Sequence, residues 1–267
     1  MVNVNVDIKP REITSAYLVA PFDQGKEAVE KADYRIISLE ENARLRMQEG
    51  KDHDVSRNGN WVREDAVYVP NKGKFLTKNS PIMAKAKEAT QAHRDRKDFY
   101  LTSEQVEQAL VGSILLDVER LPKLDDGTPY VPTNRFKDNP ITVYAFGKEA
   151  ENYGAFLREA GINKMPIELT ELQEKPFARK VWFRGLGRGA VLDCDDRGLD
   201  DDDWVRGVRR VSAKGTSKIF SGQLPYTQRE VASNLDILDS IITGRIRISD
   251  LGSKVEEVAE FIKRLKQ

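Results

Sequence analysis

The sequence predicts an α/β or α+β protein, and three observations carry that class. Short runs rich in Val, Ile and aromatic residues are separated by helix-length amphipathic stretches. Ser38 with Glu41 and Thr102 with Gln105 form capping-box signatures, each opening a helix. The chain also begins in the order β-α-β-α, which favours a parallel sheet. The expected architecture is therefore a βαβα N-terminal part with a mixed sheet. A C-terminal part comes next, with a βαβ-like unit and two terminal amphipathic helices.

Residues 2–8 alternate Val2, Val4, Val6 and Ile8 with polar neighbours, the period of a half-buried strand. Residues 13–20 read as a more buried strand ended by Pro21. Asp23 is the expected cap of a helix over 24–32, succeeded by a strand at 34–37 and a helix from Ser38 to Gly50. Residues 51–60, including Asp52-His53-Asp54, read as a loop. The stretch 67–76 folds back at Pro70-Asn71-Lys72-Gly73 as a hairpin. Ser80-Pro81 starts a polar helix to about 94, because proline at the first helical position comes right after a capping hydroxyl. A further helix covers about 103–111. Pro122, Pro129, Pro132 and Pro140 mark 122–140 as a linker or long loop between parts 1–121 and 141–267, with one continuous domain as the alternative. Beyond it, 141–146 reads as a strand, 147–160 as a helix and 165–169 as a returning strand. Helices at about 227–243 and 253–266 end the chain, the last with Val255, Val258, Ala259, Ile262 and Leu265 on one face.

Composition excludes several chemistries. No apolar run approaches the roughly 18 residues of a membrane-spanning helix. The N-terminus lacks the basic and apolar regions of a secretory signal, so the cytoplasm is the expected location. Cys194 is the sole cysteine, which rules out an intramolecular disulfide and a cysteine-based zinc site. His53 and His93 stand in no metal-ligand spacing. With 43 basic and 43 acidic residues the formal charge is zero, so no global field draws the chain to polyanions.

Local charge is less even. Residues 72–97 hold Lys72, Lys74, Lys78, Lys85, Lys87, Arg94, Arg96 and Lys97 against Glu88 and Asp95. Lys175, Arg179, Lys180, Arg184 and Arg188 precede an acidic run from Asp193 to Asp203, and Arg206, Arg209 and Arg210 lie beyond it. The arginines and lysines can close on the acidic run as an internal network, which is the favoured reading. Otherwise Lys85, Lys87, Arg94, Arg96, Lys97, Arg184, Arg188, Arg209 and Arg210 form a surface for phosphate or nucleic acid. Asp193, Asp195 and Asp196 are the candidate ligands for Mg²⁺ or Ca²⁺. The calcium-loop pattern fails, however, with Arg197 and Trp204 where ligands belong. Gly185-Leu186-Gly187-Arg188-Gly189-Ala190 contains the spacing of a dinucleotide turn. Residues 191–198 are poor helix material, so a simple turn is expected there. Aspartates around Cys194 should raise its thiol pKa.

The leading functional reading is an intracellular module binding a phosphate-bearing partner, such as nucleic acid or another polyanion. A divalent-metal enzyme acting on a small phosphorylated or carboxylated substrate near Asp193 is the alternative. An assembly protein using the terminal helices is the third.

Overall fold

The computed structural model describes residues 5–7, 13–195 and 197–210. They belong to the first of two units into which the chain divides, Met1–Arg210 and Val211–Gln267. The helices expected at 227–243 and 253–266 lie outside the described residues, as does Asp196.

Strand β1 (Asn5–Asp7) pairs with β2 (Ile13–Ala20). Helix α1 (Phe22–Lys31) leads from β2 to β3 (Arg35–Ile36). Pro21, not Asp23, occupies the N-cap of α1. Asp23 sits in the first turn, where a carboxylate faces the positive helix end. Helix α2 (Leu39–Glu49) opens with the full capping box of Ser38 and Glu41 and stops at Gly50, whose φ of 85° suits glycine. The 51–60 loop carries one short helix, α3 (Asp54–Arg57), capped through Nδ1 of His53.

Strands β4 (Asn60–Val69) and β5 (Gly73–Thr77) form the expected hairpin, with Val69 opposite Gly73. The helix expected over 81–94 is two helices, α4 (Pro81–Ala84) and α5 (Ala86–Arg94), because Lys85 leaves helical geometry at φ −129° and ψ 40°. Next come β6 (Phe99–Tyr100), α6 (Ser103–Leu110) with its Thr102–Gln105 capping box, and β7 (Ile114–Leu115). Residues 122–140 carry β8 (Tyr130–Pro132), and Val131 is buried among core residues from both sides of that stretch.

The strand expected at 141–146 is instead a helix, α7 (Pro140–Phe146). Asn139 Oδ1 accepts from the backbone N–H groups of Ile141 and Thr142, and Pro140 fills the first helical position. That cap decides an apolar run too short for its periodicity to decide. The C-terminal part is therefore not a βαβ-like unit. After α7 come α8 (Ala150–Glu159), β9 (Lys164–Leu169), β10 (Phe177–Phe183), β11 (Leu192–Cys194) and β12 (Asp203–Arg210).

These strands form one mixed sheet ordered β1-β2-β12-β4-β10-β11-β9-β8. Strands β5, β7, β6 and β3 attach off that path. Pairings are antiparallel except β11 with β9 and β12 with β4. Thus the opening βαβα order does not yield a parallel pair, since β2 and β3 both pair antiparallel with β12.

Alternate residues of β4 build two cores. Val62, Ala66 and Tyr68 pack with Leu45, Phe146, Tyr153 and Leu157, so α2, α7 and α8 cover one face. Trp61, Val67 and Val69 pack with Phe22, Val29, Ile82 and Val106, which places α1, α4, α5 and α6 on the other. Both faces of β4 are thus covered, although the strand carries Asn60, Arg63, Glu64 and Asp65 among its apolar residues.

Candidate functional site

The acidic run and its basic neighbours close largely on each other. Arg184 holds Asp193 at 2.9 Å and also pairs with Glu168. Arg197 grips Asp203 through two hydrogen bonds of 2.5 and 2.7 Å, with its guanidinium 4.3 Å from the centre of the Trp182 ring. Asp193 Oδ1 accepts from the backbone N–H of Asp195, and Thr170 donates to the Asp195 carboxylate. Asp193 and Asp195 thus face protein partners. Among the described residues, no three His, Cys, Asp or Glu side chains converge as a metal site would require. Burial pushes the Cys194 thiol well above its ordinary pKa, and Asp193 and Asp195 push it further. Such a thiol is a poor nucleophile.

The glycine-rich turn at 185–190 links β10 and β11, which pair antiparallel. A Cβ on Gly185 would overlap the Arg57 carbonyl, and Gly189 sits at φ 85°. Gly185 thus serves close backbone approach and Gly189 a left-handed turn, and no helix opens after them as a dinucleotide turn would require.

Among the described residues, four of the eight cations in the basic stretch 72–97 are ion-paired, three of them with acids outside it. Lys87 reaches Glu27 at 3.2 Å and Arg94 reaches Asp23 at 3.7 Å, both acids on α1. Lys85 pairs with Glu88 at 3.0 Å. Arg209 lies 3.5 Å from Asp33. Arg179 and Lys180 are tied to Asp98 and Asp65 at 2.5 and 2.7 Å. Arg96, Lys97 and Arg188 are exposed and form no ion pair among the described residues. Arg210 ends β12 opposite Ile13. Of the candidate phosphate contacts, Lys85, Lys87, Arg94, Arg184 and Arg209 are thus ion-paired.

Two cations stand out instead. Arg63 on β4 is half-buried and pairs with no carboxylate among the described residues. Lys78, just after β5, is exposed and meets only the Tyr144 ring, 4.9 Å away. Both line a groove of about 840 Å³ between the β5–α4 turn and α6, within the 300–1,000 Å³ of typical ligand clefts. Lys85 joins them, and Glu104 is the single carboxylate in the lining.

The groove rests on a rigid floor. Ser80, in its wall, accepts from the backbone N–H of Met83 and donates to Asp65 Oδ2 at 2.5 Å. Asp65 and Lys180 form a fully buried pair behind it, and Lys180 also donates to the carbonyls of Arg63 and Glu64. Burial lowers the Lys180 pKa, opposed by Asp65.

Beside this pair Glu64 is completely buried, with Oε2 accepting from the backbone N–H of Leu39 and Oε1 lacking a partner. Burial pushes its carboxyl above the ordinary range, outweighing its backbone donors, Arg63 and Lys180. The folded form then holds the Glu64 proton more tightly than the unfolded chain. This contribution to stability is present at low pH and falls as pH rises through the ordinary carboxylate pKa towards the raised folded one. Glu64→Gln should therefore be more stable than the parent near neutral pH, with the advantage shrinking towards about pH 4. Urea melts at both pH values check it, and a variant weaker at neutral pH refutes it.

Sequence reasoning noticed Lys78 within its basic run but passed over Arg63, whose neighbours Glu64 and Asp65 made the segment look neutral. No helix among the described residues is long and apolar enough to cross a membrane. No family model matches the chain, and no curated protein matches it either. A solved structure described as "Accommodation of massive sequence variation in Nanoarchaeota by the C-type lectin fold" is similar at a TM-score of 0.55 and 12% identity. The similarity covers 77% of this chain and 100% of that one. The described fold, a mixed sheet with helices packed about it, is thus C-type lectin-like.

Proposed function

We propose that this chain is a binding module whose ligand carries a negatively charged group, phosphate or carboxylate, seated in the groove beside α6. One observation carries the reading. Arg63 and Lys78 converge on one groove, and neither forms an ion pair among the described residues. A guanidinium offers a planar fork of donors that matches carboxylate and phosphate alike. Compared with the broad polyanion surface expected from sequence, the groove is a small, defined contact.

Fluorescence anisotropy with labelled polyglutamate and labelled oligothymidylate tests the reading. At least one probe should bind, more weakly as salt rises, because exposed charges are screened. Replacing both Arg63 and Lys78 with Ala should weaken that binding at least about tenfold, equivalent to about 1.4 kcal/mol. If neither probe binds at low salt, or the double variant binds equally well, the reading fails.

A further inference from the structure

We infer that the ligand of the groove is an acidic peptide segment that also carries apolar side chains. This deepens the reading above and rests on it. The groove walls leave several hydrogen-bonding groups unengaged. Asn79 donates its amide N–H₂ to the carbonyls of Gln108 and Val111, which leaves Oδ1 facing no donor among the described residues. Gln108 donates to Glu104, leaving its own Oε1 unengaged. Gln105 accepts from the backbone N–H of Thr102, leaving its N–H₂ unengaged. The groove therefore offers acceptors as well as donors. Free phosphate presents acceptors alone, whereas a peptide backbone presents an N–H and a C=O at nearly every residue. Nucleobases present both as well, so the lining separates peptide from nucleic acid.

The apolar lining points the same way. Met83, Ala84, Ala109 and Val111 line the groove, and Val111 is 68% exposed. Such a surface favours burial of aliphatic side chains. Nucleic acid instead calls for aromatic platforms on which bases stack. No aromatic residue lines this groove, and the neighbouring Tyr144 ring is already covered by the Lys78 ammonium. Charge sets the orientation of the bound segment. Its acidic group lies against Arg63 and Lys78, away from Glu104 in the first turn of α6, and its apolar side chains lie against Met83, Ala84, Ala109 and Val111, the last held beside Lys78 by the Asn79 bond to its carbonyl.

Selection from a phage-displayed peptide library on the full chain, run beside selection from a random single-stranded oligonucleotide library, tests this. The expected outcome is enrichment of peptides combining Asp or Glu with aliphatic residues. Arg63→Ala with Lys78→Ala should weaken their binding at least tenfold, with circular dichroism unchanged. Val111→Ser should weaken the selected peptides several-fold yet leave polyglutamate binding unaltered, separating apolar contact from charge. Enrichment of oligonucleotides alone, dependent on Arg63 and Lys78, overturns the peptide assignment and leaves the anion site standing. Failure of both libraries overturns the peptide assignment, and with it the anion site if the polyanion probes also fail. Selected peptides indifferent to Val111→Ser, or to the double alanine variant, overturn it too.

Discussion

Asp65→Ala is expected to destabilise the protein by about 3–5 kcal/mol, because it leaves the Lys180 ammonium buried without its counter-charge. The pair is 2.7 Å apart and both side chains are fully buried. Asp65 also accepts from Ser80 Oγ and from the backbone N–H of Ile82, so its loss frees the start of α4 as well. Removing the charge on both sides is a different experiment. Asp65→Leu combined with Lys180→Met takes away two desolvated charges at once and should recover much of the loss. Urea melts of the single and double variants measure both quantities. A loss below about 1 kcal/mol for Asp65→Ala would place the pair in contact with water and refute its buried character.

The second large effect belongs to Arg46. Its guanidinium is fully buried, yet it faces no carboxylate among the described residues. It donates instead to the carbonyls of Val55, Phe183 and Arg184 and to the Tyr153 hydroxyl, and it lies over the Phe183 ring at 4.3 Å. One side chain thus joins α2, the α3 loop, the β10–β11 turn and α8. Arg46→Met keeps much of the volume but orphans several buried acceptors, each costing about 1–3 kcal/mol when unpaired. A total loss of about 3–5 kcal/mol is expected by urea melt, within the range of large single-site effects. Arg46→Lys should regain only part of it, since three donors on a flexible stem replace a planar fork of five. A lysine variant as stable as the parent would show that charge, not fork geometry, holds the knot.

What the sequence disclosed was local. The capping boxes at Ser38 and Thr102 and the turn before Gly73 are decided by residues within four positions of each other, and all three formed as read. The run at 141–146 was misread because a short, mostly apolar segment fits a strand or a helix, while the deciding cap lay just upstream at Asn139. The ion pairing of the basic stretch is not legible locally. The acids that neutralise Lys87 and Arg94 belong to α1, far earlier in the chain, and only the packing of α1 against α5 brings them together. Arg63 stands beside Glu64 and Asp65 in the sequence, but both carboxylates turn into the core, and no local pattern announces that.

The position of β12 bears on how the chain is made. The strand lies between β2 and β4 and pairs residue by residue with β2, from Asp203 opposite Ala20 to Arg210 opposite Ile13. A nascent chain that stops short of Asp203 has neither a partner for that edge of β2 nor the Val205 side chain that packs against Gly25 of α1. Until the ribosome has released the eight residues of β12, two strand edges stay open to other chains. Closure then joins segments from opposite ends of the described fold, a separation that slows folding. Maturation of the described fold therefore waits on β12, and a truncation before Asp203 should yield an aggregating intermediate rather than a smaller domain.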